Sequence, residues 1–277
     1  MRKSRNFMRT AAALGIAVLT STLAAPATAH EFWLEARSWV ATPGDTVQFD
    51  MFNGVEMKGS AYPWIDRRTV RAEVITPAGV TPYDGRDGDL PAVEIAAAEP
   101  GLNVLLFESA VTSLTYADFA LFREFTEEKA LDAALEEHLR EGLPQNGLRE
   151  IYPRHTKALF AVGDGAGQDV WRGMDHELVA ETNPYTLAEG EPMQVRLLRD
   201  GNAVADARVT VFRRDADGDV TLDLLETDTD GRVRFALVPG SSYLVDNVHL
   251  RRATRSEVVE SAAFWASSWA ALTFGRP

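Results

Sequence analysis

The sequence predicts a mainly β protein made of two antiparallel β-sandwich domains, with one amphipathic helix inserted in or after the first. Two observations support this fold class. Short apolar segments alternate with period two and end at turn sequences that recur about every 8–12 residues, a spacing typical of sandwich strands. One segment, residues 118–141, contains neither glycine nor proline and carries its apolar residues at helical spacing.

The first domain is predicted over residues 30–175. Its strands begin with the apolar stretch around Phe32 and Leu34 and continue with segments that end at turn signals or have strand length. These segments are 46–52, 69–75, 102–107 and 155–164. Between the last two lies the predicted helix over 118–141, with Gly142 as its stop signal. His138 falls near the helix end, where we expect a solvated imidazole favoured by the helix dipole.

The second domain is predicted over residues 176–277. Short apolar strands are separated here by turns rich in Asp and Gly, which is typical of a small antiparallel sandwich. The predicted strands cover 193–198, 209–212, 222–225, 233–237 and 243–250. The tail, residues 264–274, is rich in Trp and Ala and is expected to form a last strand that docks on the core and can return to the N-terminal domain.

Residues 1–29 have the features of a cleavable secretory signal peptide. A basic start precedes an apolar stretch from Ala11 to Ala25, and Ala27-Thr28-Ala29 forms a cleavage site directly before His30. The segment carries four of the 28 basic residues and no acidic ones, so the processed chain has a net charge of about −17. This charge disfavours nucleic acid as a partner. We therefore expect a periplasmic protein with no membrane-spanning segment after processing.

Cleavage at this site would give His30 a free α-amino group beside its own imidazole. The two nitrogens can close a chelate ring on one divalent transition metal, and the amine titrates near neutral pH, so that a metal can displace its proton. The chain contains no cysteine, which leaves imidazoles, carboxylates, backbone groups and the amino terminus as ligands. The hypothesis depends on cleavage before His30 rather than, for example, before Thr28.

A divalent ion usually takes three or four ligands, so His30 needs a partner. We favour His249, which falls toward the end of a predicted strand. His176 is a weaker candidate, flanked by Asp175 and Glu177, and His155 is weaker still because Arg154 and Lys157 stand close to it in sequence. Each of these three histidines can equally be a hydrogen-bonded or solvated structural residue.

Several sequence stretches together point to a known family: 30–35 (His-Glu-Phe-Trp-Leu-Glu), 152–159, Asn183-Pro184, 229–232, 243–249 and 269–274. With these stretches the chain resembles the DUF4198 family of exported bacterial proteins, which are related to periplasmic components of nickel and cobalt uptake systems. The second half also resembles transthyretin-like and carboxypeptidase-regulatory-like β domains. The resemblance implies a β-rich periplasmic protein with a connection to transition metals.

Three functions follow from these observations. The first is a non-enzymatic accessory protein that binds Ni²⁺, Co²⁺ or Cu²⁺ at His30 and delivers it, with a membrane metal transporter as its partner. The second is a copper-dependent oxidative enzyme that acts on a polymer, since a copper ion held by an amino-terminal histidine and a second imidazole suits that chemistry. The third is a non-catalytic structural or adhesive β-sandwich protein. The sequence contains no Gly-x-Ser-x-Gly motif, phosphate loop or dinucleotide fingerprint.

Overall fold

A computed structural model describes residues 30–96 and 98–277, and the predicted signal peptide over 1–29 lies outside this range. The chain is mainly β, with 48% strand and 12% helix, which confirms the predicted fold class. In the described part of the chain, no helix is both long enough and apolar enough to cross a bilayer.

The strands from the first half of the chain follow one another closely. In chain order they are β1 (Glu31–Ala36), β2 (Val40–Ala41), β3 (Val47–Val55), β4 (Lys58–Tyr62), β5 (Thr69–Thr76), β6 (Gly79–Pro82), β7 (Val93–Ile95), β8 (Gly101–Ser109), β9 (Thr112–Thr115), β10 (Arg149–Tyr152) and β11 (Arg154–Val162). A short 3₁₀ turn, Asp66–Arg68, precedes β5, and the helices α1 (Phe119–Glu128) and α2 (Asp132–Arg140) lie between β9 and β10.

The second half adds the remaining strands and a third helix. They are β12 (His176–Ala180), β13 (Met193–Arg199), β14 (Asn202–Ala203), β15 (Arg208–Arg214), β16 (Val220–Glu226), β17 (Arg232–Phe235), β18 (Ser241–Arg252), α3 (Arg255–Ser261) and β19 (Trp265–Arg276).

These strands form three sheets, and the largest lies between the other two. Its main path runs β16-β15-β18-β19-β11-β8-β5-β6. The first sheet contains β1, β3, β4 and β7, and the third contains β12, β13, β14 and β17. Apolar side chains from β1 and β3 pack with Ala158 and Phe160 of the central sheet, whereas those of β12 and β13 pack with Leu159 and Val245 on its other face.

The central sheet joins strands from both halves of the chain. The last strand, β19, pairs antiparallel with β18 and parallel with β11, where Arg154 lies opposite Trp269 and Ala158 opposite Thr273. The two sandwich layers are therefore built on one shared sheet that contains parallel as well as antiparallel pairs. The central sheet contains strands from both predicted domains. The domain boundary predicted at residue 176 is therefore not tested by the sheet pairing and stays a prediction.

The prediction of one continuous helix over 118–141 is wrong. Asp118 caps α1 by accepting the N–H of Ala120, but the helix ends at Lys129, and Ala130 takes a positive φ of 54° before α2 begins. The break turns Lys129 inward, where its side chain is almost fully buried. Apolar periodicity could not reveal this break, because the charge partners of Lys129 come from distant strands.

The expectation of a solvated His138 is also wrong. Its side chain is completely buried among aromatic residues of the helices and of β19. His138 Nδ1 accepts a hydrogen bond of 3.1 Å from the indole N–H of Trp265, and the ring packs against Phe119 and Phe122. His138 therefore fixes the helices to the central sheet.

Candidate functional site

Three of the predicted site residues meet on one face of the central sheet. His155 of β11 and His249 of β18 both line a cleft of about 390 Å³, together with Arg199 and Ser268. His176 of β12 lies behind them, with its ring centroid 6.5 Å from that of His155. This face of the sheet is the one covered by the third sheet.

These three imidazoles are neutral at neutral pH. Burial lowers the pKa of His176 to about 3 and that of His249 to about 4, and it also lowers the pKa of His155. Both ring nitrogens of His176 are engaged: Nε2–H donates to Asn247 Oδ1 at 2.7 Å, and Nδ1 accepts from the hydroxyl of Ser268 at 3.0 Å. His176 therefore has a structural role in joining the third sheet to the central one.

The cleft does not form a metal site in the described residues. Across residues 30–96 and 98–277, no group of three or more His, Asp or Glu side chains is placed to hold an ion. Arg199 and Arg251 also line the cleft, and the positive charge of Arg199 contributes to the lowered pKa values of His176 and His249, after burial. Such a charge opposes a cation.

His30, the first described residue, precedes β1, which packs on the opposite face of the central sheet. There Lys129 contacts both the neighbouring Glu31 and Asp246 of β18. Asp246 and His249 lie three positions apart on the regular strand β18, so their side chains point to opposite faces. This arrangement gives no support to His249 as the partner of His30. Metal binding by His30 itself stays a prediction.

A buried charge cluster fixes the start of β1 to the helical region. Lys129 Nζ lies 2.5 Å from Glu31 Oε1 and 3.3 Å from Asp246 Oδ2. Burial raises the pKa of Asp246 to about 6. Because these residues come from the end of α1, from β1 and from β18, the cluster joins three separate chain segments.

A second cluster joins the central sheet to the third one. Lys157 Nζ lies 2.6 Å from Asp169 Oδ2 and 2.8 Å from Glu177 Oε1, and all three side chains are completely buried. The carboxylate of Asp169 also accepts the N–H of Ala180, and that of Glu177 accepts the N–H of Arg172. Sequence reasoning missed this cluster, although the sequence carries a signal for it: Lys157 places a charge inside the strand predicted over 155–164.

Arg154, directly before His155 in sequence, points to the other face of the central sheet. Its guanidinium lies over the ring of Trp269, 4.0 Å from the ring centroid, and 4.8 Å from the centroid of Tyr152. It lines a cavity of about 90 Å³ between the first and central sheets, with Phe32, Phe107 and Tyr62 among the other lining residues. Sequence reasoning treated Arg154 only as a charge that would repel a metal near His155.

The fold and its cavities define a β-sandwich protein with clefts on both faces of a shared central sheet. The chain belongs to the DUF4198 family, a domain of unknown function, whose model matches residues 27–251. No curated protein matches the chain.

Two solved structures show limited similarity to the chain. One is a tetra-tandem repeat in the extending region of a large adhesion protein, at 12% identity and a TM-score of 0.22, with 89% of this chain and 50% of that chain covered. The other is the D0-D1 domain of intimin, at 12% identity and a TM-score of 0.21, with 88% and 97% covered. This chain spans half the length of the first structure. At these TM-scores neither likeness bears on function.

Proposed function

We propose that this DUF4198 protein is exported to the periplasm, where it binds a partner without breaking or forming covalent bonds in it. One observation carries the proposal. Four of the buried titratable side chains, Lys129, Lys157, His138 and His176, are each engaged by structural partners from other elements. A general base or nucleophile must reach a reacting atom, and these four groups instead join sheets and helices. The non-catalytic function considered from the sequence is therefore the one we favour.

The competing enzymatic function predicts a measurable product. A copper enzyme of the oxidative type would consume oxygen and release peroxide when the processed protein is given Cu²⁺ and a reductant. We expect peroxide release no greater than that of a copper-loaded control protein, with or without a glycan polymer. Release well above that control, together with cleavage of the polymer, would overturn the proposal.

A second candidate function is transition-metal binding at His30. It is favoured by the cleavage site directly before His30 and by the resemblance to nickel and cobalt uptake components. In this function the amine and imidazole of His30 hold Ni²⁺, Co²⁺ or Cu²⁺, and a membrane metal transporter is the expected partner. Copper should bind most tightly if affinity follows the usual order for nitrogen ligands.

Calorimetric titration tests this metal function in the protein that begins at His30. We expect tight binding of one equivalent, lost when one alanine is added before His30, because the α-amino group then moves out of the chelate ring. His249→Ala is the informative second variant: unchanged affinity is expected from its place on the opposite face of the sheet. Equal affinity with and without the added alanine would exclude the amino-terminal chelate. Mass spectrometry of the exported protein establishes where processing occurs.

A further inference from the structure

The guanidinium of Arg154 is buried without a compensating anion. Arg154 is 8% exposed, and its Nη1 atom has no hydrogen-bond partner. Within the described residues, no carboxylate lies within 4.0 Å of it, although Glu150 and Asp246 attract it from farther away. Burial lowers the pKa of the Arg154 guanidinium, because its charged form has lost most of its contact with water. Removing a charge from water is expensive unless the charge is paired and hydrogen-bonded.

The aromatic neighbours of Arg154 offset part of this cost. Trp269 and Tyr152 lie under and beside the guanidinium at cation–π distances. Such contacts offset less than the free energy that burial of an ion costs. They leave the hydrogen-bonding edge of the guanidinium unused, since an aromatic face accepts no in-plane N–H bond. The rings thus fix the orientation of Arg154 without satisfying its donors.

The cavity beside Arg154 has an apolar wall and a positive mouth. Phe32 and Phe107 pack against each other with ring centroids 5.6 Å apart. At the mouth, the exposed Arg68 hydrogen-bonds to the hydroxyl of Tyr62. Among the described residues, the lining includes these two arginines and no Asp or Glu. In a chain of net charge −13, a cavity with only positive ionisable groups selects for an anion.

We propose that this cavity, which we call the arginine pocket, binds a small carboxylate with an apolar body. The carboxylate takes the donors of Arg154, and the body lies against Phe32 and Phe107. A planar guanidinium matches a carboxylate through two parallel N–H···O bonds. A cavity of about 90 Å³ admits a compact ligand, and one buried positive charge balances one negative charge. A phosphate dianion would bring more charge than Arg154 can balance, and it has no apolar part for the aromatic wall.

The inference rests on the proposed binding role, but the two can fail separately. Failure of small carboxylates to bind would remove the arginine pocket as a site and leave a non-catalytic protein. Conversion of a bound carboxylate into another compound, seen when the incubated ligand is analysed by chromatography, would remove the non-catalytic role and leave the site.

The test is calorimetric titration of the processed protein with benzoate, benzamide and inorganic phosphate. We expect saturable binding of one benzoate. Benzamide, which has the same shape without the charge, should bind roughly 10- to 100-fold more weakly, since hydrogen bonds to a charged partner are the stronger ones. Inorganic phosphate should not compete with benzoate for the arginine pocket. Absence of saturable benzoate binding, or tighter binding of phosphate than of benzoate, would overturn the proposal.

Variants locate the site. Arg154→Lys keeps the charge but loses the planar fork, and we expect roughly 10-fold or greater weakening of benzoate binding. Because that buried position can also affect folding, Ile65→Trp serves as a second variant: it fills the cavity from its half-exposed rim and should abolish binding in a folded protein.

A matched pair of charge variants tests the mouth of the pocket. Arg68→Gln should weaken benzoate binding several-fold, whereas Arg67→Gln, an exposed neighbour in the same 3₁₀ turn that does not line the cavity, should leave it unchanged. Unchanged affinity in Ile65→Trp, or equal effects of Arg67→Gln and Arg68→Gln, would show that benzoate binds elsewhere.

Discussion

Replacing Lys157 by methionine should strongly destabilise the protein, because Lys157 neutralises two buried carboxylates. Asp169 and Glu177 lie 2.6 and 2.8 Å from its ammonium group, with no exposure to solvent. Lys157→Met leaves both carboxylates buried with only backbone N–H donors as partners. Removal of one partner from a buried ion pair typically lowers the free energy of unfolding by about 3–5 kcal/mol. The upper part of that range is expected here, since two like charges remain.

Urea denaturation followed by circular dichroism measures this loss. The triple variant Lys157→Met, Asp169→Asn, Glu177→Gln removes all three charges and should recover most of the stability, because a neutral buried cluster carries no unpaired ion. Lys58→Met, on the exposed strand β4, is the matched control and should change the free energy of unfolding by less than about 0.5 kcal/mol. A loss below about 1 kcal/mol in Lys157→Met would refute this account of the cluster.

Three further predictions concern other parts of the fold. The pKa of His176 is about 3 in the folded protein, below its ordinary value of 6.5. Protons therefore bind the unfolded chain more tightly than the folded one. The stability due to this residue is complete above pH 6.5 and is lost as the pH falls toward 3. By pH 5 the loss should reach about 2 kcal/mol, and His176→Gln should flatten this part of a stability–pH curve measured in urea; an unchanged slope would contradict the assignment. Gly275→Ala should lower the free energy of unfolding by about 1–3 kcal/mol, because the new Cβ would lie 2.3 Å from the ring of Trp39; wild-type stability would show that the contact relaxes freely. Thr254→Ala removes the capping box of α3 and should destabilise that helix by about 1 kcal/mol, seen as faster amide hydrogen exchange in residues 255–261, whereas unchanged exchange would mean that the cap contributes little.

Local sequence patterns predicted most of the strands, and long-range pairing determined what they missed. Period-two alternation located strands such as β3, because only one of its faces is fully buried against a packed sheet. The break between α1 and α2 was missed since it depends on Lys129 reaching Glu31 and Asp246, residues about a hundred positions away. His138 was misjudged for the same reason: its partner, Trp265, lies far along the chain.

The candidate site was predicted less well than the fold. Sequence reasoning selected His155, His176 and His249 separately, and the structure brings them to one face of the central sheet. It could not assign faces across strands, so it paired His249 with His30. It also took Arg154 and His155 to share one environment, although neighbouring residues on a strand point to opposite faces. That alternation directs Arg154 into the arginine pocket.

A crystal structure of the processed protein grown with benzoate tests the central claim most directly, because it shows both binding and the chemical state of what is bound. The account predicts intact benzoate in the arginine pocket, with its carboxylate oxygens within hydrogen-bonding distance of the Arg154 guanidinium and its ring against Phe32. An empty pocket with Arg154 turned toward Glu150 or Asp246, or density for a chemically altered ligand, would contradict it.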